Sequence, residues 1–481
     1  MGIMKDLPEN HGLTSRSLID FFARIDELNL EVNSLILLQN GRMTAEYVRS
    51  PYRLDHPQLL FSLSKSITSL AVGIAIDEGL LNLEDKVISF FPNKLPHVVS
   101  SNLAAMNVHH LLSMNSGHHD NIYAAVVNER DWVKAFLSQE VEHEPGSYYR
   151  YSTHSTYMLS AIMEQATGLN LIDYLMPRLF EPLGIPRPTW ETCPMGVIAG
   201  GMGLSLSTES IAKIGLLLLH KGMYAGKRII SESYIELATQ EQSDNRLGAE
   251  RNDSAQGYGY QFHLCRRGCY RGDGSFGQVC FVAPNEQIVI AATSSFPSMK
   301  SLQTLLDLIY EHIVDHLGNS DSVCQEDQLE LHARLNRMAS SAVPTIMPVP
   351  ECTLHLNNRC YIMGNNPHGL KEIRFYQKDD QLELHTSYGD ERDNVLAFNW
   401  FKPIHTTDVF NKDLLLHRQE VVTYAKWLDR DALELTLFYI ETPYVVTYTV
   451  RFKDEDTIDF QLSINVSLNI EEYIVSGRCK R

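Results

Sequence analysis

Phe61-Ser62-Leu63-Ser64-Lys65-Ser66-Ile67-Thr68-Ser69-Leu70-Ala71-Val72-Gly73-Ile74-Ala75-Ile76 is the stretch on which the reading of this chain turns. From Leu70 onward it is apolar nearly all round, the pattern of a helix buried on every side. Residues i and i+3 share a helix face, so Ser62 and Lys65 are expected to point together. Ser62 falls in the first turn, where backbone N–H groups lack helical partners and the dipole favours developing negative charge. A lysine desolvated beside it releases its proton more readily and can activate the hydroxyl as a nucleophile. The competing reading is an ordinary helix start with serine caps and one solvated lysine. The spacing alone does not separate the two, because it recurs at Ser210-Ile211-Ala212-Lys213. There Ile211, Ile214, Leu217 and Leu218 mark an amphipathic helix, on which Ser210 and Lys213 are expected to face water.

The whole chain narrows the choice. Its 481 residues exceed what one hydrophobic core usually serves, so two domains are expected. A composition of 44% hydrophobic and 21% charged residues is that of a globular protein. The formal net charge of −18 argues against a nucleic-acid partner, since phosphate backbones are held by clustered Lys and Arg. A small-molecule substrate is the expected partner, and the oligomeric state is left open. No run approaches the length of a transmembrane segment. Met1-Gly2-Ile3-Met4-Lys5-Asp6-Leu7-Pro8-Glu9-Asn10 lacks the apolar core of a signal peptide, so a cytoplasmic protein is expected. The eight cysteines (Cys193, Cys265, Cys269, Cys280, Cys324, Cys352, Cys360 and Cys479) show no C-x-x-C spacing and read as free thiols. Cys265 and Cys269, His109-His110 and His118-His119-Asp120 lack the three or four convergent ligands of a zinc site, so no metal is expected.

Periodicity sets the organisation. Leu18, Phe21, Phe22, Ile25 and Leu28 fall at helical spacing. Ser34–Leu38 and Arg42–Val48 flank Asn40-Gly41, a strong hairpin signal. A mostly helical middle follows, over Val108–Met114, Asp131–Leu137, Ser155–Thr167, Asp173–Leu179 and Glu209–His220. Strands then read at Gly257-Tyr258-Gly259-Tyr260, Val279–Val282 and Gln287–Ala292, before a last helix over Leu302–Leu317. Strands at both ends of a helical middle predict one sheet with a helical lobe inserted. From about Pro344 apolar and polar residues alternate, as in Ile373/Phe375, Leu382/Leu384, Leu433/Leu435/Leu437, Val446/Tyr448/Val450 and Ile458/Phe460/Leu462. Short polar turns between them predict a small antiparallel barrel or sandwich. Its aromatics Trp400, Phe401, Trp427, Phe438, Tyr439, Tyr444 and Tyr448 are expected to be core.

Further motifs stand downstream of Ser62. Glu144-Pro145-Gly146-Ser147-Tyr148-Tyr149-Arg150-Tyr151-Ser152-Thr153 precedes a helix. With Ser62-x-x-Lys65 it resembles the class C β-lactamase-like serine hydrolases, the penicillin-binding-protein-like esterases and peptidases. In that family S-x-x-K is joined by Y-x-N after a Pro-Gly-x-x-Tyr stretch. Flanking stretches match in family order over roughly residues 15–315. Among them are Glu78–Val87, His110–Gly117, Thr167-Gly168, Phe180–Ile185 and Ala199–Leu204. The family's third motif, Lys- or His-x-Gly, has its counterpart in Gly272-Asp273-Gly274-Ser275-Phe276-Gly277-Gln278, with Gly272 where the cation or imidazole would stand. Thr153 likewise replaces Asn, and a hydroxyl does not offer the donor and acceptor of a carboxamide. Arg271 is a candidate to make up for the missing cation. The C-terminal region is similar in pattern to the lipocalin-like barrel appended to some members.

The resemblance implies an α+β fold: a β-lactamase/transpeptidase-like antiparallel sheet with an inserted helical lobe, plus a C-terminal all-β small barrel. The expected boundaries are a hydrolase domain over 1–318, a connector over 319–344 and the barrel over 345–481. It also implies a serine hydrolase working through an acyl-enzyme on an ester, amide or small peptide-like substrate, an esterase or peptidase before a β-lactamase. Ser62 would be the nucleophile, Lys65 and Tyr151 jointly the base, and the Ser62 and Ser275 N–H groups the oxyanion donors. Thr153, Gly272, Asp273, Gly274 and Ser275 would bind substrate, with no metal or organic cofactor. The alternative is a non-catalytic binding or regulatory protein that keeps this fold, which Thr153 and Gly272 favour.

Overall fold

The computed structural model describes residues 2–247, 251–318, 324–340, 356, 359–390 and 392–480. The chain divides into two compact units, Met1–Val48 with Leu54–Arg337, and Arg49–Arg53 with Met338–Arg481. Of the connector expected over 319–344, the described part includes a helix, Gln325–Ser340. The remainder, with Cys352, lies outside the described residues.

The first unit is organised by a six-stranded antiparallel sheet in the order Arg42–Val48, Val32–Gln39, Ile288–Ser294, Gln278–Ala283, Tyr270–Gly274, His263–Leu264. The two chain ends of the unit meet in its middle, where Leu37 pairs with Ile290. Everything between Val48 and His263 is thereby inserted, as the distribution of strand signals predicts. Asn40 and Gly41 take φ of 48° and 74°, the doubly left-handed turn of a tight hairpin. The central strands are buried along their whole length because helices cover both faces. Cys280 faces the helix Thr208–Leu219, where it approaches the Ile211 carbonyl. Its neighbour Phe281 points the other way, packing its ring on Tyr310 of the helix Met299–His312.

Two local expectations are corrected. Gly257-Tyr258-Gly259-Tyr260 is not a strand but a bent segment with isolated bridges at Tyr258. A Cβ at Gly259 would lie 2.1 Å from the Ala238 carbonyl oxygen, so close packing, not sheet pairing, accounts for the glycine. Ser210 and Lys213 do not face water: they are 3% and 6% exposed. The helix Thr208–Leu219 that carries them is buried all round against the sheet, and its amphipathic spacing understated that burial.

The second unit is a ten-stranded antiparallel sheet, in the order Asp393–Asn399, Gln381–Tyr388, Leu370–Lys378, Cys360–Met363, Tyr473–Cys479, Thr457–Ile464, Val445–Phe452, Ala432–Tyr439, Leu416–Trp427, Ile404–Asn411. Its edges come together: Thr423 Oγ1 donates to the Ala397 carbonyl at 2.6 Å, and Asn394 Nδ2 to Asp408 Oδ1 at 2.6 Å. The result is a nearly closed all-β barrel. Phe375, Leu382, Leu384, Leu433, Leu435 and Val450 are buried, and Trp400 stacks on Trp427 at 6.2 Å. Phe401 is the exception among the expected core aromatics, at 54% exposed, because it lies just past the end of its strand.

Candidate active site

The apolar run that opens the argument becomes the helix Ser64–Asp77, buried over nearly its whole length. Ser62 precedes it, in a tight 3₁₀ turn, Phe61–Leu63, and not in the first α-helical turn. Phe61 adopts φ 49°, a left-handed conformation that a bulky residue holds only where packing enforces it. Its ring sits edge-on to Phe276, itself at φ 63°, with centroids 5.1 Å apart. Two strained aromatics therefore clamp each other, one preceding Ser62 and one following Ser275.

Glycine brings the strand Tyr270–Gly274 against this turn. A Cβ at Gly274 would lie 2.1 Å from the Leu60 carbonyl oxygen and 3.1 Å from the Ser62 nitrogen, so the approach is backbone to backbone. Ser62, Gly274 and Ser275 consequently line one cavity of about 560 Å³, with Tyr149, Tyr151, His263 and Asp273.

Lys65 is 1% exposed. Its Nζ donates to Ser62 Oγ at 2.8 Å and to the Gly201 carbonyl at 2.7 Å. The same Nζ lies 5.0 Å from the centroid of the Tyr151 ring. Tyr151 ends the loop before the helix Thr153–Thr167, whose cap is the Ser152 side chain. Burial pushes its phenol well above the ordinary range, and a hydrogen bond with the Ser62 side chain works against that rise. Ser62 and Lys65, three residues apart, are thus joined at one cavity wall by Tyr151 from far along the chain.

Thr153 and Gly272 take other positions. Thr153 is not on the cavity wall; it packs under the glycine that receives Lys65, where a Cβ on Gly201 would meet the Thr153 carbonyl oxygen at 2.7 Å. A Cβ at Gly272 would meet Ser66 Oγ at 2.4 Å and Leu63 Cδ1 at 2.6 Å, so this position faces the nucleophile helix and leaves little room for a side chain. Arg271 does not supply the missing cation to the cleft. It is 1% exposed and spends its guanidinium on Asp273 Oδ2 at 2.8 Å, the Asp253 carbonyl at 2.8 Å and Cys265 Sγ at 3.0 Å. The described cysteines, Cys265 included, are free thiols.

His263 went unnoticed in the sequence. Its ring stacks on Tyr151 at 6.1 Å, and burial lowers its pKa to about 4, against the opposing pull of Asp273, so it is neutral at neutral pH. A lone histidine carries no spacing signal. Only its pairing opposite Arg271 in the sheet brings it to the site. Arg251 and Lys300 at the cavity wall were missed for the same reason. His110, by contrast, turns out to close the cap of its helix: its Nδ1 accepts from the Asn107 N–H at 3.2 Å while its own N–H donates to Asn107 Oδ1 at 3.0 Å.

The Beta-lactamase family model matches residues 32–312, more than half of the chain. This chain belongs to the β-lactamase family. A relative at 25% identity over 300 residues is the 6-aminohexanoate-dimer hydrolase of Paenarthrobacter ureafaciens; the match covers 58% of this chain and 76% of that one. Penicillin-binding protein 4* of Bacillus subtilis (strain 168) is 28% identical over 137 residues, 26% of this chain and 29% of its own length. Among solved structures, EstCE1, a hydrolase with promiscuous acyltransferase activity, superimposes with a TM-score of 0.51 at 17% identity, over 62% of this chain and 99% of its own. That likeness speaks for the fold alone. Among the described residues, no helix is long and apolar enough to cross a membrane.

Proposed function

We propose that this member of the β-lactamase family is a serine hydrolase that forms an acyl-enzyme on an ester, amide or small peptide-like substrate. The observation that carries the reading is the 2.8 Å bond from a buried Lys65 Nζ to Ser62 Oγ, with the Tyr151 ring 5.0 Å from the same nitrogen. Ser62 Oγ attacks the carbonyl carbon. The Lys65–Tyr151 pair takes its proton and returns it to the leaving group, and water then attacks the ester so formed, giving its proton to the same pair. Burial favours the uncharged phenol of Tyr151, which suits a group that hands a proton on rather than holding a charge. The N–H groups of Ser62 and Ser275 stabilise the oxyanion, a contribution of roughly 3–4 kcal/mol per donor. No step calls for a metal or organic cofactor.

The third-motif strand orders the substrates. A glycine at 272 and a carboxylate at 273 provide no cation there for a substrate carboxylate, the group that β-lactams and D-Ala-D-Ala peptides share. The reading therefore favours esters and small peptides over β-lactams. The relative named as a 6-aminohexanoate-dimer hydrolase supports a substrate other than a β-lactam. Cytoplasmic placement agrees with the free thiols at Cys193, Cys265, Cys269 and Cys280.

A fluorophosphonate probe tests the nucleophile directly. Stoichiometric labelling is expected, and Ser62→Ala should abolish it together with turnover, a loss on the order of a million-fold. A folded wild-type protein that resists the probe would point to the non-catalytic alternative.

A further inference from the structure

Asp273 lies between the two glycines that let its strand press against the nucleophile segment, Gly272 beside Ser66 and Gly274 beside Leu60. Side chains alternate along a strand, so the carboxylate of Asp273 leaves on the other side, where it joins Ser62, Tyr151 and Ser275 on the cavity wall. The group is 8% exposed. Its two oxygens have different surroundings. Oδ2 accepts from Arg271 Nε at 2.8 Å. Oδ1 faces His263 Nε2 at 3.7 Å, beyond hydrogen-bonding distance. Burial would raise its pKa, but His263, Arg271 and Arg251 outweigh that effect and hold the carboxyl below its ordinary range. An ionised carboxylate accepts at both oxygens, and this one keeps acceptor capacity beside the reacting serine.

Arg271 does not cancel this capacity. Its guanidinium approaches from behind the cavity wall, on Oδ2, and is fixed there by the Asp253 carbonyl and Cys265 Sγ. It acts as a positioning residue that fixes the carboxylate's orientation. A methylene placed against Oδ1 leaves that oxygen without a donor; a nitrogen donor in the same place satisfies it.

Resting on the acyl-enzyme reading, we propose that Asp273 selects the acyl group: its Oδ1 accepts a hydrogen bond from an amine or amide nitrogen near the scissile carbonyl. Aminoacyl and N-acylaminoacyl esters and amides are then the favoured substrate class. Acyl groups carrying a carboxylate at that point are turned away by like charge.

The test uses the full chain and three p-nitrophenyl esters, with rates corrected for spontaneous hydrolysis. N-acetylglycyl and 4-oxopentanoyl esters differ only in N–H against CH₂, and the hemisuccinate carries an anion. Expected is a kcat/KM for the N-acetylglycyl ester roughly 10- to 100-fold above that of the 4-oxopentanoyl ester, as for a hydrogen bond to a charged acceptor. The hemisuccinate should be slowest. In Asp273→Ser the first ratio should collapse towards one and the hemisuccinate should gain, with Ser62 labelling reporting whether that variant is folded. If Asp273→Ser does not fold, the wild-type ratio still decides: a ratio near one in a protein whose Ser62 labels fully overturns the role of Asp273 alone. Absence of labelling in folded wild-type protein instead removes the acyl-enzyme reading beneath it.

Discussion

The chain carries Ser-x-x-Lys twice, and the two copies differ in ways that spacing does not reveal. Both lysines are buried, at 1% and 6% exposure. Lys213 Nζ goes to the Glu209 carboxylate at 3.1 Å and the Gly184 carbonyl at 3.1 Å. Its serine turns away: Ser210 Oγ bonds Ser207 Oγ at 2.8 Å, inside a helix cap. Lys65 Nζ instead meets its own serine, and that serine opens onto a cavity that Ser210 does not line. One copy is a helix start tied down by an ion pair; the other is a hydroxyl held between an amine and a phenol. What separates them is where the nitrogen of each lysine ends, not how deeply it is buried.

Replacing each lysine in turn is the strongest way to break that comparison. Lys65→Ala should lower turnover on the order of 1,000- to 10,000-fold while leaving the fold nearly intact. Lys213→Ala should do the reverse, costing about 1–3 kcal/mol of stability through a lost buried stem and ion pair, with turnover per folded molecule unchanged. Steady-state kinetics beside thermal unfolding reads both. A Lys65→Ala protein with wild-type turnover would collapse the distinction.

Tyr151→Phe sharpens it next. The phenol stands beside Ser62 and Lys65 at the cavity wall, so its loss should cost roughly 100- to 1,000-fold in kcat and little stability. The wild-type pH–rate profile should rise through an apparent pKa that belongs to the Lys65–Tyr151 pair. His263 is excluded as the source of a limb near pH 6.5, because burial holds its pKa to about 4. A profile with its midpoint near 6.5 that moves in His263→Asn would show that the imbalance between the two motifs includes an imidazole.

Periodicity and turn chemistry made most of the fold legible. The Asn40-Gly41 hairpin, the buried helix after Ser62 and the alternation of Leu433, Leu435 and Leu437 were all local signals that survived folding. Local signals failed where tertiary packing sets the outcome. Gly259 reads as part of a strand but is there because Ala238 comes within contact, and Ile404–Asn411, mostly polar and with Asp408 alone fully buried, carries too weak an alternation to be seen. Within the candidate site, Ser62, Lys65 and Tyr151 are legible only as motifs taken together with the family resemblance, whereas His263, Arg251 and Lys300 reach the cavity from separate segments and leave no pattern in one sequence. Gly272 was legible as a departure, but its reason, the 2.4 Å that a Cβ would leave to Ser66 Oγ, belongs to the packing.

The smallest effect expected is also the cleanest control. Ser210→Ala removes the bond between two buried hydroxyls, Ser207 Oγ and Ser210 Oγ, and leaves the cap itself, since the Ser210 N–H still donates to Ser207 Oγ at 3.2 Å. The cost should be about 1 kcal/mol, the usual net worth of one intramolecular hydrogen bond. Turnover and fluorophosphonate labelling should stay at wild-type levels. Ser62→Ala presents the opposite signature, near-wild-type stability with chemistry lost, because its hydroxyl is partly exposed at a cavity wall. The pair therefore tests the reading at equal chemical cost, one hydroxyl each, with unfolding and turnover measured on the same preparations. Loss of turnover in Ser210→Ala beyond what its unfolding explains would mean that the helix Thr208–Leu219 transmits strain to the nucleophile through the sheet, and the two motifs would no longer be independent.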